Sequence, residues 1–343
     1  MTLNREILLA SYPVGTPTPE NFILREAPAP ATPKGGVVLK LLWLSVDPYL
    51  RGRMSDAKSY AQPFVPGGPI YSGGVAEVLE SDHPSYPKGA LVMGIMNWAH
   101  LQAHTGAGLT VLDPAQGWGT ALSPSLSLGA LGMPGLTAWV GLNVHGKPKE
   151  GETIVVSAAT GAVGSMVCQL AKRRGLRVVG VAGGAEKCAY AVDVLGCDAC
   201  VDHRDPDLKK KLAEACPKGV DIYFENVGGA TLFAVLPILN FFARIPLCGM
   251  ISQYNAMAGG AEGPDRSAQL WRAILVNRAT VRGFIVFDHA EKTGEFLAEA
   301  APLVAAGEIK VKETVTEGLE NAPAAFLSLL SGTNFGKAVV KIA

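Results

Sequence analysis

The sequence carries no surplus of either charge: 30 Lys and Arg balance 30 Asp and Glu across 343 residues. No net field therefore draws a phosphate polymer or an anionic membrane, so neither nucleic acid nor membrane is expected as a partner. Charged residues are scarce, 17% against about 25% in ordinary soluble domains, while 48% are hydrophobic. That balance favours packed structure over disorder. No apolar run reaches the ~18 residues of a membrane-spanning helix. The opening MTLNREILLASYPVGTP also lacks the basic start, long apolar segment and cleavage site of an export signal, so a cytoplasmic protein is expected. Cysteine is missing before Cys168; the six are Cys168, Cys188, Cys197, Cys200, Cys216 and Cys248. In a chain of this length without an export signal they are expected reduced. The Cys197–Cys200 CxxC has no second ligand pair for zinc and follows a helix end at Gly196 rather than opening a helix, so both are read as small packing residues.

What is present divides the chain in two, as its length predicts. Up to about Ala130, short apolar strands such as Val37 to Val46, Gly73 to Ser81 and Ala90 to Met96 alternate with Pro and Gly turns, which reads as an all-β, barrel-like unit. From about Leu131, strands alternate with helices, the pattern of a parallel sheet covered on both faces. Strands are expected at Thr153–Ala158, Arg177–Ala182, Val220–Glu225, Ala243–Gly249 and Val281–Phe287. Helices are expected at Val163–Arg174, Glu186–Leu195, around Leu208–Ala215, and at Thr231–Leu239, Ser267–Asn277 and Ala290–Ala306. The Gly-rich stretch Tyr254 to Asp265 is long for a turn and is expected to border the site. After Gly307 the texture returns to that of the first unit.

The strand TIVVSA runs through Ala158, Ala159 and Thr160 into Gly161, Ala162, Val163 and Gly164, where a helix begins. Glycines let backbone approach a pyrophosphate, and the free N–H groups and dipole of a helix N-terminus favour negative charge. In this strand–turn–helix context the spacing predicts a dinucleotide site. About 20 residues on, where an acidic side chain would hold the ribose 2′-OH of NAD, stand Gly183 and Gly184, with Lys187 close behind. With no carboxylate there to repel a 2′-phosphate and a lysine to pair with one, NADP is preferred.

Zinc chemistry finds no ligands. A dehydrogenase zinc site needs a cysteine in the first unit, and none is there. His100 and His104 have a helical zinc-pair spacing, but HLQAH lacks the glutamate of HExxH and reads as extended. On a strand the two histidines lie ~13 Å apart, too far to share one ion. No metal is expected.

The segments VDPYLRGRM (Val46–Met54), AATGAVGS (Ala158–Ser165), FENVGG (Phe224–Gly229), CGMISQYN (Cys248–Asn255) and NAPAAFLSLLSGTNFGKAVVKI (Asn321–Ile342) resemble the zinc-independent medium-chain dehydrogenase/reductase branch of prostaglandin, 2-alkenal and NADPH-dependent curcumin reductases. The resemblance spans essentially the whole chain. It implies an α/β protein: a GroES-like β-barrel catalytic domain (1–130 and 306–343), joined to a Rossmann doubly wound parallel sheet binding NADP (131–305), with the active site in the cleft between them, in a homodimer. It also implies that Gly161, Ala162, Val163 and Gly164 line the pyrophosphate and Lys187 binds the 2′-phosphate. Asn226, Cys248, Gly249, Met250, Ile251, Ser252, Gln253, Tyr254, Phe284, Ile285, Val286 and Asn334 would then surround the ribose and nicotinamide. Where the family often has a tyrosine beside the adenosine phosphate, this chain has His203, followed by Arg204; Glu225 replaces a more usual aspartate.

The implied reaction is hydride transfer from NADPH to the β-carbon of an α,β-unsaturated ketone or aldehyde, a small-molecule substrate. Charge moves to the carbonyl oxygen as an enolate, which calls for a hydrogen-bond donor there rather than a strong base. On the SQYN match, Tyr254 with the ribose 2′-OH is the expected donor pair. Tyr49 is a second candidate as a pocket residue near the carbonyl, with Tyr60, Tyr71, Met257 and Trp271 as possible cavity walls. Arg51 and Arg53 are candidates for a phosphate or for structural ion pairs. The alternatives are an NADPH:quinone oxidoreductase and a non-catalytic NADPH-binding sensor or structural protein.

Overall fold

Runs of β-branched and leucine residues between proline and glycine turns build the first part of the chain. A computed structural model describes residues 3–256 and 265–342, so the candidate Met257 and most of the Gly-rich stretch lie outside the described residues. Strands β1 (Leu3–Leu9) and β2 (Phe22–Pro28) pair antiparallel. They are followed by β3 (Val37–Ser45), the single helical turn α1 (Leu50–Arg53), β4 (Tyr71–Ser81), β5 (Leu91–Asn97), β6 (Leu101–His104) and β7 (Thr110–Val111). HLQAH is thus extended: His104 sits opposite Val37 in the β3–β6 pairing, and its ring Nδ1 accepts from the Gly106 N–H at 2.9 Å.

The alternating second part forms α2 (Met133–Val140), β8 (Thr153–Ser157), α3 (Ala162–Arg173), β9 (Arg177–Ala182), α4 (Ala185–Asp193), β10 (Ala199–Asp202), α5 (Leu208–Ala215), β11 (Val220–Phe224), α6 (Gly229–Val235), β12 (Leu239–Leu247), α7 (Ser267–Asn277), β13 (Thr280–Gly283) and α8 (Thr293–Ala305). The six strands are parallel in the order β10-β9-β8-β11-β12-β13. This is a Rossmann sheet, whose order reverses between β8 and β11; ligands bind beyond the strand ends at that reversal. TIVVS in β8 is buried throughout, as a central strand covered on both faces must be.

The chain then returns to the first sheet with β14 (Glu313–Glu317), α9 (Ala322–Leu330) and β15 (Lys337–Lys341). Strand β15 runs parallel to β14 and antiparallel to β3, giving the order β14-β15-β3-β4-β5-β7 with β6 also on β3. Together these strands make the GroES-like unit. Its core packs Trp98, Phe64, Phe326, Leu39 and Leu41. Trp98 Nε1 donates to Ser72 Oγ at 3.0 Å, and Ser72 in turn donates to the Ser45 carbonyl at 2.7 Å, so the indole's polar edge is satisfied inside an apolar core.

Chain contacts divide the molecule into Met1–Gly129 with Glu313–Ala343 and a short piece from Asn255, and Ala130–Tyr254 with the segment up to Lys312. The return falls later than the expected residue 306. Gln169 accounts for the delay, because its side chain accepts from the Lys310 N–H (2.7 Å) and donates to the Lys310 carbonyl (3.0 Å), holding that segment to α3. Two element ends also differ from expectation. The helix expected to Leu239 stops at Val235, because Pro237, lacking an N–H, sits in a 3-10 turn from which β12 starts at Leu239. The strand expected to Phe287 ends at Gly283, and a 3-10 turn takes over at Val286. Among the described residues no helix is long and apolar enough to cross a membrane.

Candidate active site

Buried β8 delivers the chain into a tight turn at the reversal of strand order. Ala158 takes a positive φ of 49°, and the Gly161 N–H closes the turn on the Ala158 carbonyl at 2.9 Å. Gly161 is the N-cap of α3 and brings no side-chain acceptor, so first-turn N–H groups face outward for an anion. Gly164 answers a different need: a Cβ there would stand 2.2 Å from the Ala158 carbonyl oxygen. The last glycine therefore lets helix and turn touch, while the first leaves the helix mouth open.

Two loops close over the ends of β11 and β12. Asn226 donates from its backbone N–H to Ser157 Oγ (2.8 Å) and from its side-chain amide to the Ser157 carbonyl (2.7 Å), tying β8 to β11. Glu225, 1% exposed, turns inward, where one carboxyl oxygen accepts from Ser157 Oγ and from the N–H groups of Val227 and Gly228 at 2.7–3.0 Å. Burial raises its pKa, against the lowering effect of those two N–H groups. The second loop is laced to the first. Cys248 and Gly249 donate to the Glu225 carbonyl, Ile251 to that of Asn226, and Ser252 to that of Val227. Burial, then the nearby Glu225, pushes the Cys248 thiol up to about 12, so it stays a thiol.

Tyr254 ends this second loop. Its phenol folds back over Gly249, where a Cβ would meet the oxygen at 3.0 Å, and Oη accepts from the Met250 N–H at 3.4 Å. Burial raises its pKa, so the hydroxyl keeps its proton. With an amide already on its oxygen, that proton is left to donate elsewhere. Phe284 follows β13, donating its N–H to the Leu247 carbonyl at 3.4 Å, its ring against His145 at 4.9 Å between centroids. Ile285 is half-buried and Val286 buried beside it.

At the ends of β9 and β10 the chain gathers cations. Gly184, with φ of 90°, is the N-cap of α4, and half-buried Lys187 stands in that helix's first turn. The exposed His203 and Arg204 reach back over the glycines. A Cβ on Gly183 would meet His203 Nε2 at 2.8 Å and an Arg204 guanidinium nitrogen at 3.3 Å. The glycine pair thus does more than omit an acidic residue, because a side chain at 183 would have to push the His203 ring aside and crowd Arg204. Asp202 accepts the Arg204 N–H at 2.9 Å, and its pKa falls because the backbone N–H groups of Arg204 and Gly184 outweigh burial. Burial and then Arg204 lower the pKa of both Lys187 and His203. A helix mouth ringed by crowded cations fits the 2′-phosphate of NADP.

The first unit holds the other expected residues. Tyr49, half-buried, packs on the core, its pKa raised by burial and by Asp47. Arg51, 1% exposed, donates to the carbonyls of Pro13 (3.4 Å) and Gly15 (2.7 Å) and to Asn255 Oδ1 (3.2 Å). Arg53 donates to the Gln62 carbonyl and lies 4.2 Å from the ring centroids of Phe64 and Tyr71. Neither arginine is placed for a phosphate. Asn334 donates to the Gly336 carbonyl at 3.1 Å in the turn before β15. Sequence reasoning missed Lys337, which is buried and reaches Asp47 at 3.1 Å and the Val46 carbonyl at 2.7 Å, fixing the backbone just before Tyr49. Tyr60 and Trp271 are exposed. The six cysteines are all free. Among the described residues no group of three or more His, Cys, Asp or Glu is arranged to hold a metal ion.

Comparison with known proteins agrees with this architecture. Residues 5–112 match a family model described as the N-terminal domain of oxidoreductase, and residues 162–303 match one described as zinc-binding dehydrogenase. The chain is 49% identical to the NADPH-dependent curcumin reductase of Escherichia coli (strain K12), covering 99% of this chain and 97% of that one. It is 39% identical to the NADP(+)-dependent 2-alkenal reductase of Nicotiana tabacum, again over 99% and 97%. The crystal structure of CurA from Vibrio vulnificus in complex with NADPH superposes with a TM-score of 0.91 at 47% identity, covering 99% of each chain. The chain belongs to the medium-chain dehydrogenase/reductase superfamily, in the zinc-independent branch that includes curcumin, 2-alkenal and prostaglandin reductases.

Proposed function

We propose that this protein is an NADPH-dependent reductase of the C=C bond of α,β-unsaturated ketones and aldehydes. The observation that carries this reading is the Tyr254 hydroxyl, which accepts from the Met250 N–H and, because burial raises its pKa, keeps its own proton for donation. The names of the relatives, a curcumin reductase and a 2-alkenal reductase, support the substrate class. Gly161, Ala162, Val163 and Gly164 would hold the pyrophosphate, with Lys187 and His203 on the 2′-phosphate. Asn226, the run Cys248 to Tyr254, Phe284 to Val286 and Asn334 would hold the ribose and nicotinamide. Bound NADPH supplies the hydride. Tyr254 would bond the ribose 2′-OH, and this pair would steady the charge that grows on the substrate carbonyl oxygen, a donor aimed at developing rather than existing charge. Solvent protonates the α-carbon. Tyr49 is proposed as a substrate-pocket residue.

The finer assignments are also ours. Exposed edge strand β13 and helix α7, with Trp271, Leu275 and Val276 exposed, suit a homodimer, because an open edge beside apolar side chains invites pairing with a second copy. Sedimentation as a monomer at micromolar concentration would remove that assignment. Six free thiols suit the reducing cytoplasm. The reaction itself is tested by NADPH oxidation against a series from short alkenals to bulky aryl enones, with product analysis. Saturated carbonyl products are expected. Allylic alcohols, consumption with quinones alone, or a preference for NADH would overturn the reading.

A further inference from the structure

At the mouth of α4 the structure gathers a histidine, His203, with Arg204 and Lys187. The His203 backbone N–H donates to the Ala182 carbonyl at 2.9 Å, which anchors this residue's backbone beside the end of β9. Its Nε2 and the Arg204 guanidinium both stand over Gly183, at 2.8 and 3.3 Å from the position a Cβ would take. The groups facing it are Arg204, Asp202 at the end of β10, and Lys187 from α4. Asp202 is the one carboxylate at the strand end, and its charge is already engaged by the N–H groups of Arg204 and Gly184.

We propose that His203 is a proton-coupled specificity residue, neutral in the free protein and protonated when the 2′-phosphate of NADPH is seated between it, Lys187 and Arg204. The inference rests on the NADPH reading above. In the free protein, partial desolvation and then the charges of Arg204 and Lys187 disfavour an imidazolium, and together they outweigh the favouring charge of Asp202. A phosphate dianion placed among them reverses the sign of the local field, and the ring becomes a charged donor. The balance is simple: neutral His203, NADPH and one solvent proton give the imidazolium–phosphate complex, with no bond broken in the cofactor. NADH, lacking the phosphate, gives the ring no reason to take a proton.

The coupling is read without turnover, by calorimetric titration of the whole protein with NADPH near pH 7.5 in two buffers of different ionisation enthalpy. A dependence of the apparent heat on the buffer, corresponding to uptake of up to one proton, is expected. NADPH affinity should fall towards about tenfold per pH unit in the alkaline limb, while NADH affinity stays flat. In His203→Gln the uptake should vanish with residual NADPH binding kept. In Arg204→Gln it should move to higher pH, because the free imidazole is relieved of a neighbouring charge. Tight NADPH binding with no proton uptake in the unmodified protein, or uptake unchanged in His203→Gln, overturns the coupling while leaving the reductase assignment intact. Failure to bind NADPH at all overturns both.

Discussion

Two sets of basic side chains, one in each unit, look alike in the sequence and differ in the structure. Arg51, Arg53 and Lys337 in the first unit are buried, and each meets carbonyls, an aromatic face or a carboxylate supplied by the fold. Lys187, His203 and Arg204 in the second crowd one another at a helix mouth, and burial and their neighbours depress the pKa of the first two. A buried cation fully matched by its own fold is spent on architecture, since removing one partner strands a charge. Cations that face each other are cheapest when an outside anion comes between them. The contrast separates scaffold from site more sharply than residue type does.

The contrast breaks first at Lys337. Replacing it with Met strands Asp47 in the interior and should cost about 3–5 kcal/mol, measured by urea unfolding, without changing the preference for NADPH over NADH; an unchanged unfolding midpoint would show that the pair holds nothing together. Tyr254→Phe probes a group only half used by the fold. It should lower kcat by ~10²-fold or more, the usual loss for one donor to developing charge, with NADPH affinity largely kept. Unchanged turnover removes the hydroxyl from the mechanism.

Lys187→Ala is the mirror image of the lysine change in the first unit. NADPH affinity should weaken by about 10–100-fold, the worth of a hydrogen bond to a charged group, with NADH binding and thermal stability nearly unaltered; equal loss for both coenzymes would make Lys187 a scaffold residue after all. The smallest effect is expected at Glu225. Because its folded pKa is raised, its contribution to stability is full below the ordinary glutamate range and is lost as pH rises through the raised value. Glu225→Gln should therefore flatten the pH dependence of unfolding above pH 5 by about 1.4 kcal/mol per pH unit at most, and an identical profile would show that Glu225 titrates as it does in the unfolded chain.

Much of the fold was legible because periodicity and punctuation agree: Arg177–Ala182, Leu208–Ala215 and Ser267–Asn277 form the elements their patterns predict. Where Pro237 interrupts an apolar run, the pattern alone could not say whether helix or strand resumes. The glycine turn was legible in the same way, since strand, Gly161 and helix follow one another locally. The cation cluster was half legible: Lys187 follows the glycines in the chain, but His203 and Arg204 arrive from the next strand, and Asp202 comes with them. The buried partner of Asp47 lies nearly the whole chain away, and no local pattern reports such a contact. Arg51 could be sorted from Lys187 only once its acceptors, the carbonyls of Pro13 and Gly15, were in view.

The position of β15 between β14 and β3 also sets an order of events at the ribosome. As the nascent chain emerges, the entire Rossmann unit is translated and free to condense before Lys337 exists to meet Asp47. Until then the Trp43–Ser45 end of β3, beyond its pairing with β6, lacks its neighbour and waits as an open edge of the kind that invites aggregation. The first unit is thus sealed by residues made after the whole of the second.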